Sequence, residues 1–241
     1  MPTFTETLSS TFTGADESPL SEGGAWATMT GEVSFSRTSN QAKVGGGDDS
    51  TNRHTTAAAA GQYSRADLTC VGTAGGGSGM GLAVRCASAA RTYYRLAIDH
   101  AATNNAEIAR FVAGTYTSLV QWTQAFTNGD QFTIAIENQV LYVYDKTLTQ
   151  VKTYDDTGGG GPTTGSVGLS YSSVETSALL DNWGGGPFRT AAVGATAVGR
   201  PIRPRPRLRK SRFKRSTQGD ITLTVVVNIP RHLYTTMGVG T

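Results

Sequence analysis

The chain has 241 residues, 30 of them glycine, with 38% hydrophobic and 16% charged side chains and a formal net charge of +3. Thr, Ser, Gly, Ala and Val dominate, and no stretch keeps apolar residues at helical spacing for long, which excludes an α-rich fold while leaving enough apolar material for a buried core. No run approaches the ~18 apolar residues of a membrane helix, and Met1-Pro2-Thr3-Phe4 lacks the basic-then-apolar start of a signal peptide, so a soluble chain that does not use that export route is expected.

From Phe4 to about Asn182, short β-branched and aromatic runs alternate with Gly, Asn, Asp and Ser clusters, the punctuation of an all-β domain. Residues 66–71 and 80–87 flank a glycine-rich loop and read as a hairpin, whose centre at Ser78 sets Cys70 opposite Cys86. A disulfide there is conceivable, but two buried thiols are the preferred reading for a chain made in a reducing compartment. Residues 92–99 place Tyr94, Leu96 and Ile98 on one face and Tyr93, Arg95 and Ala97 on the other, which predicts one solvated face. Residues 106–112 make the next strand. After the turn at Asn128-Gly129-Asp130, Phe132, Ile134 and Ile136 alternate as a half-buried strand; Val140 to Tyr144 and Gln150 to Tyr154 continue a meander. Asp155-Asp156, next to the glycines at 158–161, reads as a solvated turn. Residues 166–171 and 177–182 close the body. About a dozen strands over the body fit a two-sheet antiparallel jelly-roll sandwich.

Composition then changes. Residues 1–186 hold 10 Lys/Arg against 17 Asp/Glu, a net of −7, whereas 187–241 hold 11 against 1, a net of +10. This division predicts a sandwich over 1–186, an extended Gly/Pro/Arg-rich arm over 187–219 and a docking strand within 220–241. The arm carries Arg200, Arg203, Arg205, Arg207, Arg209, Lys210, Arg212, Lys214 and Arg215, interleaved with prolines that exclude a helix and favour an extended path. Beyond it, Ile221, Leu223, Val225 and Val227 mark a β-prone segment too short to fold alone, which must pair with another sheet.

The ordered set Gly79-Met80-Gly81-Leu82-Ala83-Val84-Arg85, Tyr94-Arg95-Leu96-Ala97-Ile98, Asn128-Gly129-Asp130-Gln131-Phe132, Thr164-Gly165-Ser166-Val167-Gly168-Leu169 and Leu180-Asp181-Asn182-Trp183 resembles the concanavalin A-like lectin/glucanase superfamily, especially its laminin-G-like jelly rolls. Phe12-Thr13-Gly14-Ala15-Asp16 and Trp26 look like the opening strands of such modules. The resemblance implies that Asp16 and Asp181 lie near positions that hold a structural calcium in some members, although turn and strand-end capping is the favoured reading of both. No other cofactor is expected. The carboxylate cluster Glu-x-Asp-x-x-Glu of the superfamily's glucanases is absent, with Glu107 and Glu137 each alone in its strand, so a non-enzyme is expected. His54, His100 and His232 are not at metal-ligand spacing.

Three functions compete. The first is a virion structural protein, because the chain resembles jelly rolls of tailed-bacteriophage virions. It would be a capsid decoration or minor capsid subunit, assembled in the host cytoplasm and homo-oligomeric. Its basic arm and terminal strand would anchor it to the major capsid protein or to a tail subunit. The second is a carbohydrate-binding module for host surface glycans, with Tyr93, Tyr116, Trp122 and Tyr142 as stacking candidates against a core-packing alternative. The third is a nucleic-acid-binding arm, weakened by the lone ring of Phe213 within the basic run. No membrane partner is expected.

Overall fold

The computed structural model describes residues 1–44, 49–70, 79–99, 105–172 and 178–191. In chain order its strands are β1 (Thr3–Phe4), β2 (Leu8–Ser10), β3 (Trp26–Thr28), β4 (Phe35–Thr38), β5 (Gln41–Val44), β6 (Asp49–His54), β7 (Gln62–Cys70), β8 (Gly79–Cys86), β9 (Tyr93–Asp99), β10 (Asn105–Val112), β11 (Thr115–Thr123), β12 (Asp130–Glu137), β13 (Val140–Tyr144), β14 (Gln150–Asp155), β15 (Ser166–Ser172) and β16 (Ala178–Arg189). A single 3-10 turn at Glu22–Gly24 interrupts the pattern, and no α-helix occurs among the described residues. The chain divides into Met1–Val193 and Gly194–Thr241, and the second unit lies wholly outside the described residues.

Two antiparallel sheets stack as a sandwich. The nine-stranded sheet runs β14-β13-β12-β7-β16-β5-β4, with β1 and β2 added along β16; the seven-stranded sheet runs β11-β10-β9-β8-β15-β6-β3. Alternation puts Ala66 and Leu68 of β7, Phe132, Ile134 and Ile136 of β12 and Leu141 and Val143 of β13 into the core from one sheet. Met80, Leu82 and Val84 of β8, Tyr94, Leu96 and Ile98 of β9 and Val167, Leu169 and Tyr171 of β15 meet them from the other. Each such large apolar side chain contributes about 1.5–3 kcal/mol on burial. The alternating residues are small in the central strand: a Cβ on Gly81 would collide with the Leu96 carbonyl oxygen of β9, so the tight approach of β8 and β9 needs glycine there.

Five sequence expectations are corrected. First, residues 66–71 and 80–87 are strands but not a hairpin. Both edges of β7 are taken by β12 and β16, and both edges of β8 by β9 and β15, so the two strands lie in opposite sheets. Glycines permit a reversal without deciding which sheet receives the returning strand. Second, Cys70 therefore faces Ala178 across the ladder, not Cys86, and Cys86 is a free, fully buried thiol held protonated by burial. Third, the outward face of β9 is dry: Tyr93, Arg95 and Ala97 are buried because neighbouring aromatic and charged side chains cover them. Fourth, the last strand does not stop at Asn182 but continues through Trp183 and the glycines to Arg189. Glu137 receives the Thr190 amide at 2.7 Å and hydroxyl at 2.6 Å and fixes the end of the described chain.

The fifth concerns Asp156, which is buried rather than solvated. Its carboxylate accepts Arg110 Nη1 at 2.8 and 2.9 Å and the Tyr94 hydroxyl at 2.7 Å. The loop at 158–161 crosses this trio so closely that a Cβ on Gly161 would strike the Tyr94 hydroxyl. Beside it, Arg85 sits at a β-bulge in the left-handed region, with φ of 54°. The bulge turns its guanidinium away from the ladder to donate to the carbonyls of Ala60 and Pro162, each at 3.0 Å, and to Gln139, so one buried cation ties three loops together.

Candidate functional site

The outward face of the seven-stranded sheet carries an extended polar array. Register places Arg95 of β9 opposite Ala109 of β10, Tyr93 opposite Phe111, and Phe111 opposite Tyr116 of β11. Because β-strand side chains alternate, Tyr93, Arg95, Glu107, Phe111 and Tyr116 all project to this one side. Asp49 of β6 joins them from across the sheet, and Glu32, after β3, closes one end.

Charges alternate along the array. Glu32 Oε1 accepts Arg91 Nε at 2.6 Å and the Tyr93 hydroxyl at 2.6 Å. Asp49 bridges Arg91 and Arg95, the latter at 3.0 Å, and Arg95 reaches Glu107 at 3.8 Å. Both guanidinium groups also lie over the Phe111 ring, at 4.6 and 5.0 Å. Burial and the Glu32 carboxylate push the Tyr93 phenol far above its ordinary value, so it stays protonated and can donate to Glu32. Two arginines against three carboxylates leave the array one negative charge in excess.

Solvent meets the array at β11. Tyr116 is 48% exposed; its ring rests 5.5 Å from Phe111 and its hydroxyl donates to Glu107 Oε1 at 2.6 Å. Gln121 Nε2 donates to the same oxygen at 3.2 Å. Asp49 and Arg91 are each about one-quarter exposed. The surface thus offers a ring face, carboxylate acceptors and amide and guanidinium donors within one sheet face. Such a set suits a ligand with many hydroxyls and an apolar ring surface.

The stacking candidates read from sequence are not gathered together. Tyr93 has no exposed ring: it is buried and stacked on Phe111 at 4.6 Å, so it supports Tyr116 indirectly. Trp122 packs against the core, with Lys152 Nζ 5.6 Å from its ring. Tyr142 belongs to the other sheet, among Tyr144 and Phe188. Asp16 accepts the Ser39 amide at 3.0 Å between β4 and β5, and Asp181, within β16 beside its bulge, accepts the Asn182 amide at 2.7 Å. No group of three or more His, Cys, Asp or Glu among the described residues could hold a metal. Arg200 to Arg215 and Ile221 to Val227 lie outside the described residues. Sequence reading missed the Asp49–Arg95–Glu107 chain, whose members are far apart in the chain. The available signal was Arg95 and Glu107, charges that alternate with the core-facing residues of their strands.

No protein-family profile and no curated protein matches the sequence. Solved structures do match in shape. The carbohydrate-binding module CBM66 from Bacillus subtilis aligns with a TM-score of 0.57 at 16% identity, over 69% of this chain and 98% of that one. A protein of unknown function with a galectin-like fold from Bacillus subtilis gives 0.54 at 9%, over 77% and 99%. A Bacillus licheniformis β-glucanase gives 0.51 at 11%, over 76% and 98%. Similarity of this kind shows the fold: the chain has a concanavalin A-like jelly-roll fold.

Proposed function

We propose that this chain is a non-catalytic, glycan-binding jelly roll that receives sugar at the Tyr116 end of the Arg–carboxylate array. The observation that carries the reading is the half-exposed Tyr116 ring beside Glu107 and Gln121, with the Arg95 guanidinium 5.8 Å from it. Similarity of fold to a carbohydrate-binding module supports it. Similarity to a β-glucanase raises hydrolysis as the rival. Against hydrolysis stands the pairing of each array carboxylate with an arginine, which arranges acceptors rather than the proton donor and nucleophile that glycosidic cleavage requires.

Affinity electrophoresis in gels containing soluble neutral or acidic polysaccharides tests this. Retardation in at least one gel is expected, with no release of reducing sugar, and Tyr116→Ala should weaken it by roughly 3- to 10-fold, the range of one aromatic contact. Mobility unchanged in every gel, or unaffected by Tyr116→Ala, overturns the proposal. Release of reducing sugar by the wild type would replace it with hydrolysis.

A second reading rests on the basic run at 200–215 opposite a body of net charge −7. In it, the arm attaches the sandwich to the acidic surface of a larger assembly, such as a virion built on a major capsid protein or a tail subunit. Removing residues 200–241 should then abolish incorporation into particles while leaving the sandwich folded. Binding of the arm to nucleic acid instead would appear as gel retardation that weakens steeply with salt.

A further inference from the structure

The edge of a sheet presents a row of unpaired amides and carbonyls, which proteins protect with short strands, charges, prolines or a covering segment. Among the strands that end the two sheets, β3 and β4 have three and four residues, and β14 carries Lys152 and Asp155. β11 lacks such protection. It is nine residues long, Thr115 to Thr123, holds no charge and no proline, and among the described residues pairs only with β10. Leu119, Val120 and Trp122 beside this edge are only partly buried against the core.

A bulge decides what the edge can receive. Ile108 of β10 faces Val120 and Ala109 faces Ser118, which leaves Leu119 as the extra residue. Tyr116, Ser118, Gln121 and Thr123 therefore lie on the outward side, and Thr117, Leu119, Val120 and Trp122 on the core side, with Leu119 and Val120 consecutive. A regular strand on this edge has to break register at the bulge, as β10 does. A second β11 laid antiparallel carries the same extra residue and pairs straight through. With Leu119 opposite the partner's Val120, Ser118 meets the partner's Gln121, Thr117 the partner's Trp122 and Tyr116 the partner's Thr123. Core side then faces core side and outward side faces outward side from Tyr116 to Thr123, and no like charges are opposed.

We propose that β11 is a self-association edge, along which two copies of this chain join antiparallel about a two-fold axis into one continuous sheet. Leu119, Val120 and Trp122 of both copies close a shared apolar seam under the new junction. The outward side gains a longer platform. The two Tyr116 rings lie roughly 20–25 Å apart on one face, at about 3.3 Å per residue along the strand, with Ser118, Gln121 and Thr123 of both copies between them. The dimer itself does not rest on the glycan reading; the paired platform does, and it favours long sugar chains that reach both rings over single sugars.

Sedimentation of the full-length protein in sugar-free buffer, with hydrogen exchange alongside, provides the test. The wild type should have twice the mass of the chain, with β11 amides whose protection rises with concentration. Leu119→Lys places a charge at the axis and should give a monomer whose β11 amides exchange about tenfold or more faster, while β8 and β9 keep wild-type protection. Register is read from two exposed positions. Ser118→Cys and Gln121→Cys should form a disulfide-linked dimer when oxidised as a mixture and not when oxidised separately, because only the mixture brings two thiols opposite one another. A wild type that stays monomeric up to about 100 µM overturns the proposal. A dimer that survives Leu119→Lys or yields no mixed disulfide also overturns it, by assigning the contact to another face. Should Leu119→Lys lose β8 protection and fail to fold, the mixed disulfide decides. Because no sugar is present, a monomer leaves the glycan reading standing, and failure to bind sugar leaves the dimer standing.

Discussion

Replacing Asp156 by alanine isolates the interaction that seals one end of the sandwich. The carboxylate is 4% exposed and receives two contacts from Arg110 Nη1 and one from Tyr94. Arg110 is itself 16% exposed, so Asp156→Ala leaves a largely buried guanidinium without its counter-charge and the Tyr94 hydroxyl without its acceptor. Breaking a buried pair from one side costs about 3–5 kcal/mol, most of it the desolvation of the abandoned charge. The orphaned hydroxyl adds about 1 kcal/mol or more. Burial and the neighbouring Asp156 raise the Tyr94 phenol well above its ordinary value, so it remains a donor throughout the accessible pH range. Urea unfolding at neutral pH should therefore show Asp156→Ala about 4 kcal/mol less stable than wild type. Arg110→Met in the same background should restore part of that loss, because an apolar side chain needs no counter-charge. If Asp156→Ala loses less than about 1 kcal/mol, or if Arg110→Met and Asp156→Ala add without coupling, the buried-pair reasoning is wrong.

His54 stacks on Trp183 at 5.6 Å, and burial, partly offset by Glu22, holds it below its ordinary value of 6.5. The unfolded chain therefore takes up this proton first. Stability should be full above about pH 6.5 and fall as the pH drops through the lower folded value; thermal melts from pH 7.5 to 5 should show the fall, flattened in His54→Phe. Glu137 acts in a more acidic window: burial pulls its carboxyl upward, but the Thr190 hydroxyl and amide and Arg189 outweigh it and hold the value below 4.5. Its contribution is present above about pH 4.5 and is lost in acid, and Glu137→Gln should speed exchange of the Thr190 amide at neutral pH without unfolding the sheet. Gly81→Ala should destabilise by about 1–3 kcal/mol in urea unfolding, because β9 backbone must move to admit the methyl; wild-type stability would contradict the close approach of β8 and β9.

Sequence by itself determined the all-β class and most of the strands. Those are local properties: alternation in Phe132, Ile134 and Ile136, or in Tyr94, Leu96 and Ile98, follows from the two-residue period of a strand whose one side meets the core. Motif order along the chain carried the jelly-roll resemblance for the same reason. The tertiary structure decided everything that depends on which strand lies beside which. Glycines around Ser78 signalled a reversal, but the partners of β7 and β8 are set by competition among distant strands for their edges. Asp156 read as a turn residue because Arg110 and Tyr94, 46 and 62 positions away, are invisible to a local pattern. The candidate site follows the same rule. Asp49, Arg95 and Glu107 form one array only after three strands come into register, since electrostatic partners are chosen by distance in space rather than in sequence.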